Sequence, residues 1–193
     1  MEKKPTTIIF VRHARPVHPY HDDRNKPLSD EGLRERQVVL DTLKDRKIDA
    51  FLCSPFKRSI ETIEPTAAYF GMEIKTDERF RERKVGDEAG KDYLENRWVD
   101  FDFVEKDGEN LRSVQDRNME AFKEVLHDYE GKTVVIGTHG TALSTILNYY
   151  DNSFGVEDFK RIMHWMPYVI EMTFDGDRLL EKKELAYVDK SLK

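Results

Sequence analysis

Two short runs constrain the fold of this 193-residue chain more than any other feature. Residues 7–11, Thr-Ile-Ile-Phe-Val, and residues 133–136, Thr-Val-Val-Ile, are β-branched and aromatic throughout. Such runs read as strands buried on both faces, in a sheet with helices above and below it. Residues 48–53 and 72–76 read as two further short strands, the first ending at Ser54-Pro55. Helical stripes fall between them. Ser29 is a natural N-cap for a helix with Leu33, Leu40 and Leu43 on one face. Ile60, Ile63, Ala67 and Phe70 stripe a second helix, which stops at Gly71 and which Pro65 should kink or shorten. Leu111, Val114, Ala121, Phe122, Val125 and Tyr129 mark a third, ending near Gly131, and Ala142, Leu143, Ile146, Leu147 and Tyr150 a fourth. Residues 168–174 and 178–185 flank Asp175-Gly176-Asp177 as a hairpin. This alternation predicts a three-layer α/β/α sandwich with a mostly parallel sheet and an antiparallel edge near the C-terminus. One domain covers residues 1–193, with residues 77–108 as an irregular, partly helical excursion over the sheet. Within it Trp98, Phe101 and Phe103 are expected to cover the sheet rather than line a substrate pocket.

Composition narrows the class of function. Acidic residues outnumber basic ones, for a net charge of −6, which disfavours a nucleic-acid partner. The basic cluster Arg79, Arg81, Arg83 and Lys84 is interleaved with acidic residues and reads as a pocket rim or a solvated face. No apolar run is long enough for a membrane span, and the stretch after Met1 is too short for a signal peptide. A single cysteine, Cys53, excludes an intrachain disulfide and points to a reducing cytoplasm. Nothing in the sequence sets an oligomeric state.

The chemistry-bearing residues gather at strand ends. The first buried run leads into Arg12-His13-Ala14 and the later one into Gly137-Thr138-His139-Gly140, so each places a histidine just beyond a strand. Ligands of open α/β sheets bind outside the carboxyl ends of the strands, so both imidazoles are expected to face one crevice. Gly140 opens a helix whose free N–H groups favour an anion. Arg58 follows the strand end at Cys53 by one helical turn, and its planar fork suits two phosphate oxygens. Cys53 itself lacks the glycine-bearing loop of a thiolate phosphatase and reads as a small buried hydrophobe.

Arg12-His13-Ala14, Ser54-Pro55-x-x-Arg58, Glu82 followed by Val85-Gly86, and His139-Gly140 occur in an order that resembles the histidine phosphatase superfamily, also called phosphoglycerate mutase-like. The resemblance implies a phosphoglycerate mutase-like fold and a phosphatase acting on a phosphorylated small molecule without metal or cofactor. It implies His13 as the nucleophile that becomes phosphohistidine. Arg12, Arg58 and His139 would hold the phosphoryl group, and Glu82 would be general acid and base, kept protonated by a raised pKa. Asn25 and Ser29 stand in the loop that would contact phosphate. Ala14 replaces the usual glycine, which requires a negative φ there. Arg15, where an acidic or polar residue is more usual, is expected to grip a second negative charge on the substrate, unless it faces solvent or pairs with Asp22 or Asp23. Phosphoglycerate mutase-type transfer and a non-catalytic phosphate-binding module are the rival readings. A metal site at His18, His21, Asp22 and Asp23 is weighed against a plain polar loop, and the loop is preferred.

Overall fold

A computed structural model describes residues 4–87 and 92–191. Six strands form one sheet in the order β3-β2-β4-β1-β5-β6. They are β1 (Thr6–Arg12), β2 (Ala50–Cys53), β3 (Ile74–Thr76), β4 (Thr133–Thr138), β5 (Trp165–Asp175) and β6 (Arg178–Asp189). β1, β2, β3 and β4 run parallel, and β5 and β6 complete the sheet as an antiparallel edge. The helices are α1 (Asp30–Glu35), α2 (Gln37–Leu43), α3 (Lys57–Tyr69), α4 (Leu94–Val99), α5 (Leu111–Asp128), α6 (Gly140–Tyr150) and α7 (Val156–Ile162), with a 3-10 turn at Glu78–Phe80. Among the described residues no helix is long and apolar enough to cross a membrane.

The strand pleat divides the buried runs between two cores. Ile8, Phe10, Val134 and Ile136 pack with α5 and α6, whereas Ile9, Val11 and Val135 pack with Val39, Leu43 and Ile63 of α2 and α3. Both faces of these runs from Ile8 to Val11 and from Val134 to Ile136 pack on helices, which is why neither run alternates. The layers, the mixed sheet and the antiparallel edge follow the sequence-based expectation.

Three local expectations are corrected. The helix starting at Ser29 is two helices, and Leu33 is exposed while Gly32, Val39 and Leu43 are buried. Pro65 neither ends nor shortens α3, which runs unbroken from Lys57 to Tyr69. A proline cannot donate to the carbonyl four residues back. Here that carbonyl, Glu61 O, instead accepts from Arg36 Nη1 at 2.7 Å. Finally, α7 appears where no helix was expected, closed at its start by Gly155 N–H donating to Asp158 Oδ2 at 2.9 Å.

Candidate active site

Strand register sets the site. Arg12 lies opposite Thr138 and Cys53 opposite Gly137, so the chain leaves β1, β4 and β2 at one level of the sheet. The exits are tied together, His13 N–H donating to Thr138 O at 3.2 Å and Ser54 N–H to Gly137 O at 3.0 Å. His13 and His139 therefore share one crevice, their rings 5.3 Å apart edge to face.

His13 Nδ1 lies 2.7 Å from Ala14 O, so it carries the proton and leaves Nε2 with its lone pair. That Nε2 accepts from Arg58 Nε at 3.3 Å. Burial, followed by the guanidiniums of Arg58 and Arg12, pushes the His13 pKa well below the ordinary histidine value. His139 shifts the same way, through burial and then Arg58 and His13. Its Nε2 sits 2.7 Å from Ser54 Oγ, and its buried Nδ1 has no hydrogen-bond partner among the described residues. Ala14 is fully buried and is not among the positive-φ residues, as the methyl group requires; its N–H donates to Thr62 Oγ1 at 3.0 Å.

Arg12 is anchored from a distance. Its Nη1 donates to Ile162 O and Met163 O at 2.9 Å, at the C-terminal end of α7, and to Trp165 O at 3.3 Å, at the start of β5. Its guanidinium lies against Gly140, where a Cβ would stand 2.9 Å from Cζ and Nη2, so glycine makes this approach possible. Its buried Nε has no hydrogen-bond partner among the described residues. Burial brings the Arg12 pKa down to about 10, against the opposing pull of Glu82, and the group stays cationic at neutral pH.

Glu82 reaches the same point from the excursion. Its Oε2 accepts from Thr141 N–H at 3.0 Å, and its Oε1 from Ala142 N–H at 3.0 Å and Arg83 N–H at 2.8 Å. The first turn of α6, expected from Gly140 to receive a substrate anion, thus holds the Glu82 carboxyl in this structure.

The 12–28 loop supplies residues that sequence reasoning missed. Arg58 Nη1 donates to Asp23 O at 2.6 Å and pairs with Asp23 Oδ1 at 3.2 Å. Lys26 pairs with the same carboxylate at 3.2 Å and adds to the positive field on His13. Only the path of the loop brings these charges together, and no spacing rule announces it. Asn25 is exposed and bonds Asp22 at 2.7 Å, and Ser29 caps α1, accepting from Gly32 N–H and donating to Arg15 O. Their side chains are therefore turned to the loop itself, not to the crevice. Arg15 pairs with Glu31 at 2.9 Å, not with Asp22 or Asp23. Of the residues weighed as metal ligands, Asp22 faces Asn25, Asp23 faces Arg58 and Lys26, and His21 stacks on Tyr20. No group of three or more His, Cys, Asp or Glu side chains is placed to hold a metal among the described residues.

The basic cluster is mostly paired internally. Arg79 binds Asp77, Glu120 and Glu124, Arg81 binds Glu109, and the buried Arg83 binds Glu105, whose side chain is fully enclosed. Trp98 packs on Phe101, Phe154 and Phe159, yet it also lines a cavity at Glu82, so it covers the sheet and borders the site. Cys53 is buried beneath the crevice, its Sγ donating to Ser59 Oγ at 3.4 Å, and burial pushes its thiol up to about 12.

The three-layer architecture and the strand-end crevice define a protein of the phosphoglycerate mutase-like fold. The family model of the histidine phosphatase superfamily (branch 1) matches residues 8–183, and the chain belongs to that superfamily of phosphatases and phosphoryl-transfer enzymes. Phosphoglycerate mutase-like protein 4 of Arabidopsis thaliana is 30% identical, over 89% of this chain and 81% of its own. A Bacillus subtilis (strain 168) protein named uncharacterized phosphatase PhoE is 32% identical, over 74% of this chain and 76% of its own. Among solved structures, Bacillus stearothermophilus YhfR superposes with a TM-score of 0.74 at 26% identity, covering 91% of this chain and 94% of that one. A mycobacterial glucosyl-3-phosphoglycerate phosphatase shares the fold, with a TM-score of 0.76 at 15% identity over 94% and 97% of the two chains.

Proposed function

We propose that this protein is a metal-independent phosphatase that hydrolyses a phosphate monoester through a phosphohistidine on His13. The observation that carries the reading is the His13 imidazole, with Nδ1 committed to Ala14 O and Nε2 turned toward Arg58 beside His139. An incoming phosphoryl group takes the Arg58 donor away from Nε2 and frees the lone pair. Nε2 attacks phosphorus as the P–O bond to the alcohol breaks. Arg12, Arg58 and His139 neutralise the equatorial oxygens, so positioning and charge do most of the work. Arg12 Nε and His139 Nδ1, both buried and without partners among the described residues, are the donors suited to that task. Glu82 gives its proton to the departing alkoxide and then accepts one from the water that attacks the phosphohistidine.

Brief turnover of a labelled monoester followed by quenching at high pH should trap acid-labile, base-stable phosphate on His13. Exhaustive chelation should leave the rate unchanged. Full turnover by His13→Ala would end the proposal.

A further inference from the structure

Next to Glu82 lies a cavity of about 290 Å³, near the lower bound for small-molecule sites. Glu82 and Thr141 line it together with Val85, Leu94, Trp98, Leu111, Phe159 and Met163, so its walls are more apolar than polar. Two guanidiniums, Arg83 and Arg97, also border it, but both face the enclosed carboxylate of Glu105. Gly86 N–H adds a further bond to Glu105 at 2.9 Å; burial pushes its pKa up, but the bonds from Arg83 and Gly86 outweigh burial and hold it at about 2. One carboxylate thus holds both guanidiniums at this wall. Glu82 borders both this cavity and the crevice, and Met163, another of the lining residues, also lends its carbonyl to Arg12.

We infer that this cavity receives the alcohol portion of the substrate and selects apolar alkyl or aryl groups over polyhydroxylated ones. The inference rests on the phosphatase reading of the same site. Each methylene moved from water into such walls is worth about fourfold in binding. Arg15, the residue expected to receive a second anion on the substrate, is paired with Glu31.

The test compares hexyl phosphate with glycerol 1-phosphate, two primary alkyl esters of different polarity, with phenyl phosphate as a reporter of basic turnover. The parent enzyme should favour hexyl phosphate at least tenfold in kcat/KM. Val85→Asp, at a rim position 61% exposed and so harmless to the core, should raise KM for hexyl phosphate at least fivefold and change glycerol 1-phosphate less than twofold. Trp98→Ala, with folding checked by circular dichroism, should act in the same direction. Equal use of the two alkyl esters, or a Val85→Asp effect that ignores the ester, overturns the cavity assignment alone if phenyl phosphate is still hydrolysed. Failure on all three esters by folded protein overturns the phosphatase reading, and this inference with it.

Discussion

Two histidines held neutral in one buried crevice should leave a mark on stability. His13 and His139 both have pKa values well below the ordinary 6.5, chiefly because burial penalises the imidazolium and Arg58 repels it. Above pH 6.5 neither folded nor unfolded chain protonates them, and they add no pH dependence. As pH falls below 6.5 the unfolded chain binds protons that the folded one refuses, so stability falls until the folded pKa is reached. Between pH 6.5 and 5.5 each such histidine removes about 1 kcal/mol, and the pair about 2 kcal/mol. Carboxylates held low, such as Glu105, act at lower pH and leave this window to the histidines. His18, also shifted down, adds to the slope, and the exposed His127, raised by Asp128, opposes it. Substitution of the crevice residues separates them from that background. Urea denaturation at pH 7.5, 6.5 and 5.5 should show His13→Gln and His139→Gln each flattening the loss by about 1 kcal/mol. An unchanged slope in both variants would mean that the folded imidazoles protonate as freely as those in the unfolded chain, and the burial argument would be wrong.

Glu82→Gln should slow alkyl phosphate hydrolysis at least a hundredfold and aryl phosphate hydrolysis far less, measured as kcat, because only the poor leaving group needs the proton. Equal losses would remove Glu82 from the acid role. Gly140→Ala places a methyl group 2.9 Å from a guanidinium held by three carbonyls, so it should cost about 1–3 kcal/mol in denaturant unfolding and at least tenfold in kcat/KM. Asp23→Asn removes a half-exposed negative charge from beside Arg58 and Lys26. Inorganic phosphate should then inhibit roughly three- to tenfold more tightly, and weaker inhibition would show that the carboxylate orients Arg58 instead.

The sheet was legible because β1 and β4 carry no polar residue in the pleat from Ile8 to Val11 and from Val134 to Ile136, and only burial on both faces explains such runs. The two histidines followed from the same fact, since a buried strand ends where the chain must turn outward. Other features depend on partners far away in sequence. Pro65 is harmless because Arg36 supplies the missing donor, and Leu33 faces water because Gly32 packs so tightly that a Cβ there would stand 2.2 Å from Arg15 O. The seven residues of α7 are too few for a periodic signal, although their C-terminal carbonyls hold Arg12. The pairing of Asp23 with both Arg58 and Lys26 depends on the course of a polar loop, which neither hydrophobic period nor turn chemistry specifies.

The solitary thiol beneath the crevice gives the molecule an internal clock. Cys53 is packed against Ser59 and so close to Gly137 that a Cβ there would lie 2.4 Å from its sulfur. A thiol with its pKa near 12 and no exposed surface reacts with a disulfide reagent only when β2 and β4 part, which also dismantles the exits carrying Ser54 and His139. The rate of labelling therefore counts openings of the crevice floor in the unmodified chain, with no introduced probe. Any anion that bridges Arg12, Arg58 and His139 ties those exits together and should lengthen the interval between openings. Occupancy of the crevice could in this way be timed by a residue that takes no part in its chemistry.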